Sequence, residues 1–147
     1  MKSVLVVCIG NICRSPMGQV LLAQALPGVS VSSAGTGALA GHPADAAAQA
    51  LMARRGLDLG AHRARQISPE LCRQADLILA MDDTQRRHIE ALYPPARGRV
   101  FRLGHVAQVD VPDPYRQGQA AFEQALELID AGVQAWAERI RKIQSPS

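Results

Sequence analysis

The order of apolar runs and helical patterns predicts an α/β domain, a parallel sheet with helices on both faces. Three observations carry this. Short apolar runs alternate with helical stretches in the order β-α-β-α-α-β-α-β-α, which parallel strands joined by right-handed crossovers require. The first run, Ser3-Val4-Leu5-Val6-Val7, is continuously apolar after its serine, as a strand covered on both faces must be. The chain has 147 residues, enough for one domain with a sizeable core. Residues 1–147 are therefore read as one three-layer domain.

Lys2 to Val7 is the first strand, and the loop Cys8–Ser15 follows it. Ser15 suits an N-cap and Pro16 the first helical position. That helix runs to about Leu26, where Pro27-Gly28 stops it. Val29 to Ser33 alternates Val and Ser and reads as the second strand. Ala34 to Gly41 is small and glycine-rich, hence a loop. Pro43 or Ala44 opens a helix over Asp45 to Arg55, ended by Gly56. Leu57 to Gln66 is irregular. Ser68-Pro69-Glu70-Leu71 has the cap, proline and acidic order of a short helix. Ala75 to Ala80 reads as the third strand. Asp82-Asp83 caps a helix to about Leu92, ended by Tyr93-Pro94-Pro95. Arg99 to Leu103 is a short fourth strand, and Gly104 to Gln117 a loop. The last helix runs from about Gln119 to Ile143, with Phe122, Leu126, Ile129, Val133, Trp136 and Ile140 three or four apart on one face. Ser145-Pro146-Ser147 is a frayed tail.

Composition narrows the function classes. Aromatic residues are 3% of the chain, so Val, Leu, Ile and Ala must fill the core. The net charge is +3, with basic residues scattered and not interleaved with aromatics. That argues against nucleic-acid binding and suits an anionic substrate. No apolar run approaches the roughly 20 residues of a membrane span. No cleavage pattern of a signal peptide precedes the first strand. Three cysteines, an odd number, argue against a secreted disulfide framework. A cytoplasmic protein without membrane insertion is expected. Four histidines, His42, His62, His88 and His105, are dispersed, and no Cys/His spacing fits zinc. No metal and no cofactor are expected.

The chemistry concentrates in Cys8-Ile9-Gly10-Asn11-Ile12-Cys13-Arg14-Ser15. A strand feeding a loop that opens a helix is an anion site, because the loop's N–H groups and the helix's positive end converge. Five residues between Cys8 and Arg14 let the chain wrap a phosphate, and Arg14 can hold two of its oxygens in a fork. A thiol beside an arginine at a helix N-terminus favours the thiolate, the attacking form. Ser15 can donate to that thiolate and help it leave. The pattern points to phosphoryl transfer through cysteine. In such sheets the site lies beyond the carboxyl ends of the strands, which brings Ser33, Met81-Asp82 and Asp113 to the same edge.

Other residues read two ways. Asp113, held between Pro112 and Pro114, is either a turn aspartate or the acid and base that a two-step transfer needs. Cys13 is either a disulfide partner of Cys8 or a small apolar filler at the base of the loop. Cys72 has no partner in sequence and reads as buried. His62 reads as a surface or structural residue, and His42, His88 and His105 as surface residues. Asp82 is mainly a helix cap. Tyr115 packs against an aromatic leaving group or fills its loop.

Val7 to Pro16 resembles the signature of the low-molecular-weight protein tyrosine phosphatases, and Asp113-Pro114-Tyr115 resembles that family's general-acid loop. Ser33-Ala34-Gly35-Thr36, His62-Arg63-Ala64-Arg65-Gln66 and Ile78-Leu79-Ala80-Met81-Asp82 also match its pattern, so the resemblance covers essentially the whole chain. It implies a four-stranded parallel sheet in the flavodoxin-like order 2-1-3-4 and a metal-independent two-step hydrolysis of phosphotyrosine. It also implies roles. Cys8 is the nucleophile, Arg14 the phosphate clamp and Asp113 the acid, then base. Ile9, Gly10, Asn11, Ile12, Cys13, Arg14 and Ser15 form the phosphate-binding loop. Asn11 holds the loop's strained conformation through Ser33, with Ser15 and His62 as support. Cys13 is the redox partner of Cys8, and Leu39 and Tyr115 are walls of the substrate pocket.

Where eukaryotic members carry a second tyrosine and an aromatic wall, this chain has Arg116 and Leu39. That resembles the bacterial exopolysaccharide-associated branch, whose expected partner is a tyrosine-phosphorylated bacterial kinase. A monomer is expected. The alternative of the same fold is a thiol-dependent arsenate reductase, which needs further relay cysteines; only Cys72 remains beyond the loop pair. A non-catalytic phosphotyrosine-binding module has no use for a nucleophile.

Overall fold

The first apolar run becomes the central strand, β1, Ser3–Cys8, in a computed structural model that describes residues 1–144. β1 is hydrogen-bonded on both sides, to β2 (Ser30–Gly35) and to β3 (Leu77–Ala80), and β3 pairs with β4 (Val100–Arg102). All pairs are parallel, and the order is β2-β1-β3-β4, as the sequence predicts. The register runs from Ser3 opposite Ser30 to Cys8 opposite Gly35, and from Val4 opposite Leu77 to Val7 opposite Ala80.

The period of two in a strand sends alternate β1 side chains into different layers. Val4, Val6 and Cys8 join one core with residues of α1 (Arg14–Ala25), α2 (Ala46–Ala53) and α5 (Gln119–Gln144). Leu5 and Val7 join the other, with Cys72 of α3 (Pro69–Gln74) and Ile89 of α4 (Asp83–Leu92). The α5 stripe Phe122, Leu126, Ile129, Val133, Trp136 and Ile140 is buried as its spacing requires. Ser68 and Asp82 cap α3 and α4 through their side chains, to Leu71 N–H and Gln85 N–H. Among the described residues, no helix is long and apolar enough to cross a membrane.

Four local expectations need correction. First, α1 begins at Arg14, with Cys13 at the N-cap and no side-chain cap bond, so Ser15 and Pro16 are its second and third residues. The Ser15 hydroxyl is turned into the loop, where Cys8 and Asn11 claim it. Second, α2 begins at Ala46, and Asp45 is its cap, accepting from Ala47 N–H. Third, Ser33 lies inside β2, because pairing with β1 continues to Gly35. Fourth, His105 is half-buried, its ring edge-on to Phe101 at 5.1 Å and 5.9 Å from Trp136. The predicted frayed tail, Ser145 to Ser147, lies outside the described residues.

The chain leaves β1 for β2 on one side and returns to β3 on the other. The carboxyl end of β1 is therefore the topological switch point, where a crevice opens. Its wall is close-fitting. A Cβ on Gly35 would sit 2.3 Å from the Ile9 carbonyl oxygen and 3.1 Å from Asn11 N. Gly35→Ala must push β2 off the loop that follows β1. We expect a loss of about 1–3 kcal/mol in stability, the usual cost of overpacking, read from the urea midpoint.

Candidate active site

Cys8 ends β1 almost fully buried, with its thiol directed at the start of α1. The loop turns at Asn11, whose φ of +59° lies in the left-handed region that asparagine tolerates better than most residues. Asn11 is fully buried, and its side chain is satisfied on every side. Its Oδ1 accepts from Arg65 N–H at 2.9 Å, which fixes the amide's orientation. Its Nδ2 then donates to Ser15 Oγ at 2.7 Å and to Ser33 Oγ at 3.0 Å. His62 Nε2 donates to the Asn11 carbonyl at 2.7 Å.

These anchors set the direction of the hydroxyls. Gln19 Nε2 donates to Val31 O at 3.3 Å, so Gln19 Oε1 accepts the Ser33 proton at 2.6 Å. Both serine oxygens receive an Asn11 N–H. Ser15 is left with its own proton free to donate to Cys8 Sγ, 2.9 Å away. The Ser15–Cys8 bond thus follows from backbone groups at Arg65 and Val31.

Arg14, the first residue of α1, is 2% exposed. Its Nη1 donates to Val111 O at 2.7 Å and lies 4.0 Å from Asp82 Oδ2. Its Nη2 lies 3.7 Å from Asp113 Oδ2. Guanidinium carries five N–H donors, so most of the fork remains for an anion. Asp113 Oδ1 accepts from Tyr115 N–H at 3.1 Å, an Asx turn that leaves Oδ2 turned toward Arg14. Cys8, Ile9, Gly10, Ile12, Cys13, Arg14, Gly37, Leu39, Asp113 and Tyr115 line one cavity of about 180 Å³. Its floor is thiol, guanidinium and loop backbone; Ile9, Leu39 and Tyr115 give it apolar walls. Such a cavity can take a phosphoryl group at the floor and a flat apolar group between the walls.

The structure brings together the predicted set Cys8, Arg14, Asp113, Leu39 and Tyr115 at the cavity, with Ser15, Ser33 and His62 behind the loop. Cys13 belongs both to the cavity lining and to the core beneath it, and all three cysteines are free. Burial, then the nearby Asp45 carboxylate, pushes the Cys13 thiol far up, so it is held neutral. Cys72 belongs to the core on the opposite face of the sheet from Cys8 and Cys13. The sheet separates it from them, which removes the relay that an arsenate reductase needs. Among the described residues, no cluster of three His, Cys, Asp or Glu is placed to hold a metal ion.

Sequence reasoning missed Gln19, the backbone of Arg65 and the carbonyl of Val111. Gln19 had a legible signal, since it lies four residues after Ser15 on the same helix face. The other two are backbone contacts across the fold and leave no mark in residue type.

Comparison with known proteins agrees with this geometry. A family profile described as low molecular weight phosphotyrosine protein phosphatase matches residues 3–145. The chain is 56% identical over 142 residues to the probable low molecular weight protein-tyrosine-phosphatase EpsP of Ralstonia nicotianae, covering 97% of this chain and 98% of that one. It is 44% identical over 142 residues to the low molecular weight protein-tyrosine-phosphatase Etp of Escherichia coli K12, covering 96% of each. The crystal structure of the tyrosine phosphatase Wzb from Escherichia coli K30, in complex with sulphate, matches with a TM-score of 0.91 at 40% identity, over 95% of this chain and 98% of that one. On matches that run nearly end to end, the chain belongs to the low molecular weight protein-tyrosine-phosphatase family.

Proposed function

We propose that residues 1–147 form one cytoplasmic, monomeric phosphatase domain that hydrolyses phosphotyrosine in proteins through a cysteinyl-phosphate intermediate. The observation that carries this is the shared cavity. Cys8 and Arg14 form its floor, and Asp113 Oδ2 stands 3.7 Å from Arg14 Nη2 at its wall.

In the first step Cys8 Sγ attacks phosphorus, an S–P bond forms and the bond to the tyrosyl oxygen breaks. Protonated Asp113 gives its proton to that oxygen, so tyrosine leaves neutral. Arg14 and the N–H groups of residues 9–15 hold the three non-bridging oxygens, whose charge is spread in the transition state. In the second step the Asp113 carboxylate takes a proton from water, an O–P bond forms and the S–P bond breaks. Ser15 donates to the departing thiolate. Asn11, Ser33 and His62 hold the loop in its left-handed turn throughout. Cys13 lies close in sequence below Cys8, and after oxidation of the nucleophile on the cavity floor to a sulfenic acid it is the thiol that closes a reversible disulfide.

The natural substrate in this reading is an autophosphorylated bacterial tyrosine kinase that controls exopolysaccharide production or export. Kinship with EpsP and Etp supports it, together with Leu39 in the cavity wall and Arg116 against the Tyr115 ring, where eukaryotic members carry aromatic residues. The test is hydrolysis of p-nitrophenyl phosphate and a phosphotyrosine peptide in excess EDTA. Full activity is expected with no added metal, and an EDTA-sensitive rate contradicts the mechanism. Capture of a tyrosine-phosphorylated kinase from lysate by Asp113→Ala protein supports the partner. Capture of unrelated phosphoproteins alone counts against it.

A further inference from the structure

Between β2 and the segment 62–67 the strand pairing is one isolated parallel bridge, Gly35 to Gln66. Gly35 N–H donates to Arg65 O and Ile67 N–H to Gly35 O, each at 2.9 Å. A second contact with that segment follows, where Gly41 N–H donates to Ala64 O at 2.8 Å and Ala64 N–H to His42 O at 2.9 Å. From Thr36 to Ala40 the chain arches away from that segment. Its other side is stitched to the anion loop, with Thr36 N–H donating to Cys8 O at 2.9 Å, Gly37 N–H to Ile9 O at 3.0 Å and Leu39 N–H to Gly10 O at 3.1 Å.

This leaves the Thr36 carbonyl and the Ala38 N–H without backbone partners, and one side chain takes both. Gln66 Nε2 donates to Thr36 O at 2.8 Å, and Ala38 N–H donates to Gln66 Oε1 at 2.8 Å. A carboxamide carries a donor and an acceptor, as a peptide group does. Gln66 therefore ties the arch to the segment 62–67 as a peptide group would. The arch is Thr36-Gly37-Ala38-Leu39-Ala40, short of bulky side chains that could pack it in place, and it carries Gly37 and Leu39 into the cavity wall.

We propose that Gln66 is a positioning residue that sets the aryl-binding wall, and so favours aryl over alkyl phosphates. The inference rests on the reading of the cavity as an aryl phosphate site. Without both amide bonds the arch, rich in glycine and alanine, spreads over several conformers. Apparent affinity then falls with the fraction that presents Leu39 correctly. The phosphate cradle, though bonded to the arch at Cys8, Ile9 and Gly10, has anchors of its own. Asn11, Ser33, His62 and the Arg14–Val111 bond make no use of Gln66. The effect falls on the ring and spares the oxyanion.

The test compares Gln66→Glu, which keeps the acceptor for Ala38 N–H but loses the donor to Thr36, with Gln66→Leu, which loses both. KM for p-nitrophenyl phosphate rises by about threefold and about tenfold respectively, the scale of one and two net hydrogen bonds. The kcat value, the inhibition constant of inorganic phosphate and kcat/KM for glycerol phosphate stay at the wild-type level. An unchanged aryl KM overturns the proposal. So does a phosphate inhibition constant that rises in parallel, because Gln66 then braces the whole cradle. A wild-type protein that turns over no aryl phosphate sinks the phosphatase reading itself, before any variant is measured.

Discussion

Cys8→Ser is expected to abolish turnover while inorganic phosphate and vanadate still bind. The oxyanion is held by the N–H groups of the loop and by Arg14, whose fork is anchored by the Val111 carbonyl. None of these changes when sulfur becomes oxygen. What is lost is the nucleophile. A serine hydroxyl is a weak nucleophile without an adjacent base to take its proton. No base is hydrogen-bonded to Cys8, whose partner is the Ser15 hydroxyl at 2.9 Å, directed to donate. Loss of a covalent nucleophile costs other enzymes on the order of 10⁴–10⁶ in kcat, and a drop of at least about 10⁴ is expected here. Steady-state assays with p-nitrophenyl phosphate, alongside vanadate titration of the same preparation, separate chemistry from binding. Near-normal turnover by the serine variant removes cysteine from the mechanism.

Asp113→Asn is expected to lower kcat by about 10²–10⁴, the range for one general acid–base group. Asparagine keeps the Asx turn, because its side-chain oxygen can still accept from Tyr115 N–H. It can neither give a proton to the leaving oxygen nor take one from water. The two steps respond differently. A phenyl phosphate whose leaving group is a good one needs little protonation, so its first step is affected least. Hydrolysis of the intermediate always needs a base. The loss in the first step therefore grows with the pKa of the leaving phenol, and with nitrophenol the variant stalls at the phosphoenzyme. A loss that is the same for every leaving group means Asp113 acts only in the second step.

The frame of the molecule was legible because its signals are local. Val4 to Val7 has no polar face to turn to water, so it lies at the sheet's centre, and the α5 stripe has one buried side. Ser68 and Asp82 cap their helices as local pattern requires; Arg14 and the Gln85 side chain face Asp82 Oδ2 and leave Oδ1 to the cap. Ser15 shows the opposite case. Ser-Pro is a good helix start, yet Asn11 and Cys8 bind that hydroxyl from across the loop, and the helix starts two residues earlier. Tertiary bonds overrode a local preference. From its Pro-Asp-Pro setting alone Asp113 reads as a turn residue before a catalyst, and only the family resemblance reverses that order. Geometry supplies what spacing could not: the loop after β4 returns over the end of β1 and sets its carboxylate beside Arg14. The Arg14 bond to Val111, 97 residues away, and the Gln66 bonds to Thr36 and Ala38 join backbone groups, which residue identity does not reveal.

The central claim is a covalent phosphate on Cys8. The most direct measurement mixes Asp113→Asn protein with labelled p-nitrophenyl phosphate and quenches in denaturant within the first turnover. Cleavage after Lys2 and Arg14 releases the peptide Ser3–Arg14, which holds both Cys8 and Cys13. A burst of nitrophenol equal to the enzyme concentration is predicted, with phosphate on Cys8 of that peptide and the same label in Cys13→Ser protein. A linear release without a burst, or a label found on any residue other than Cys8, contradicts the account.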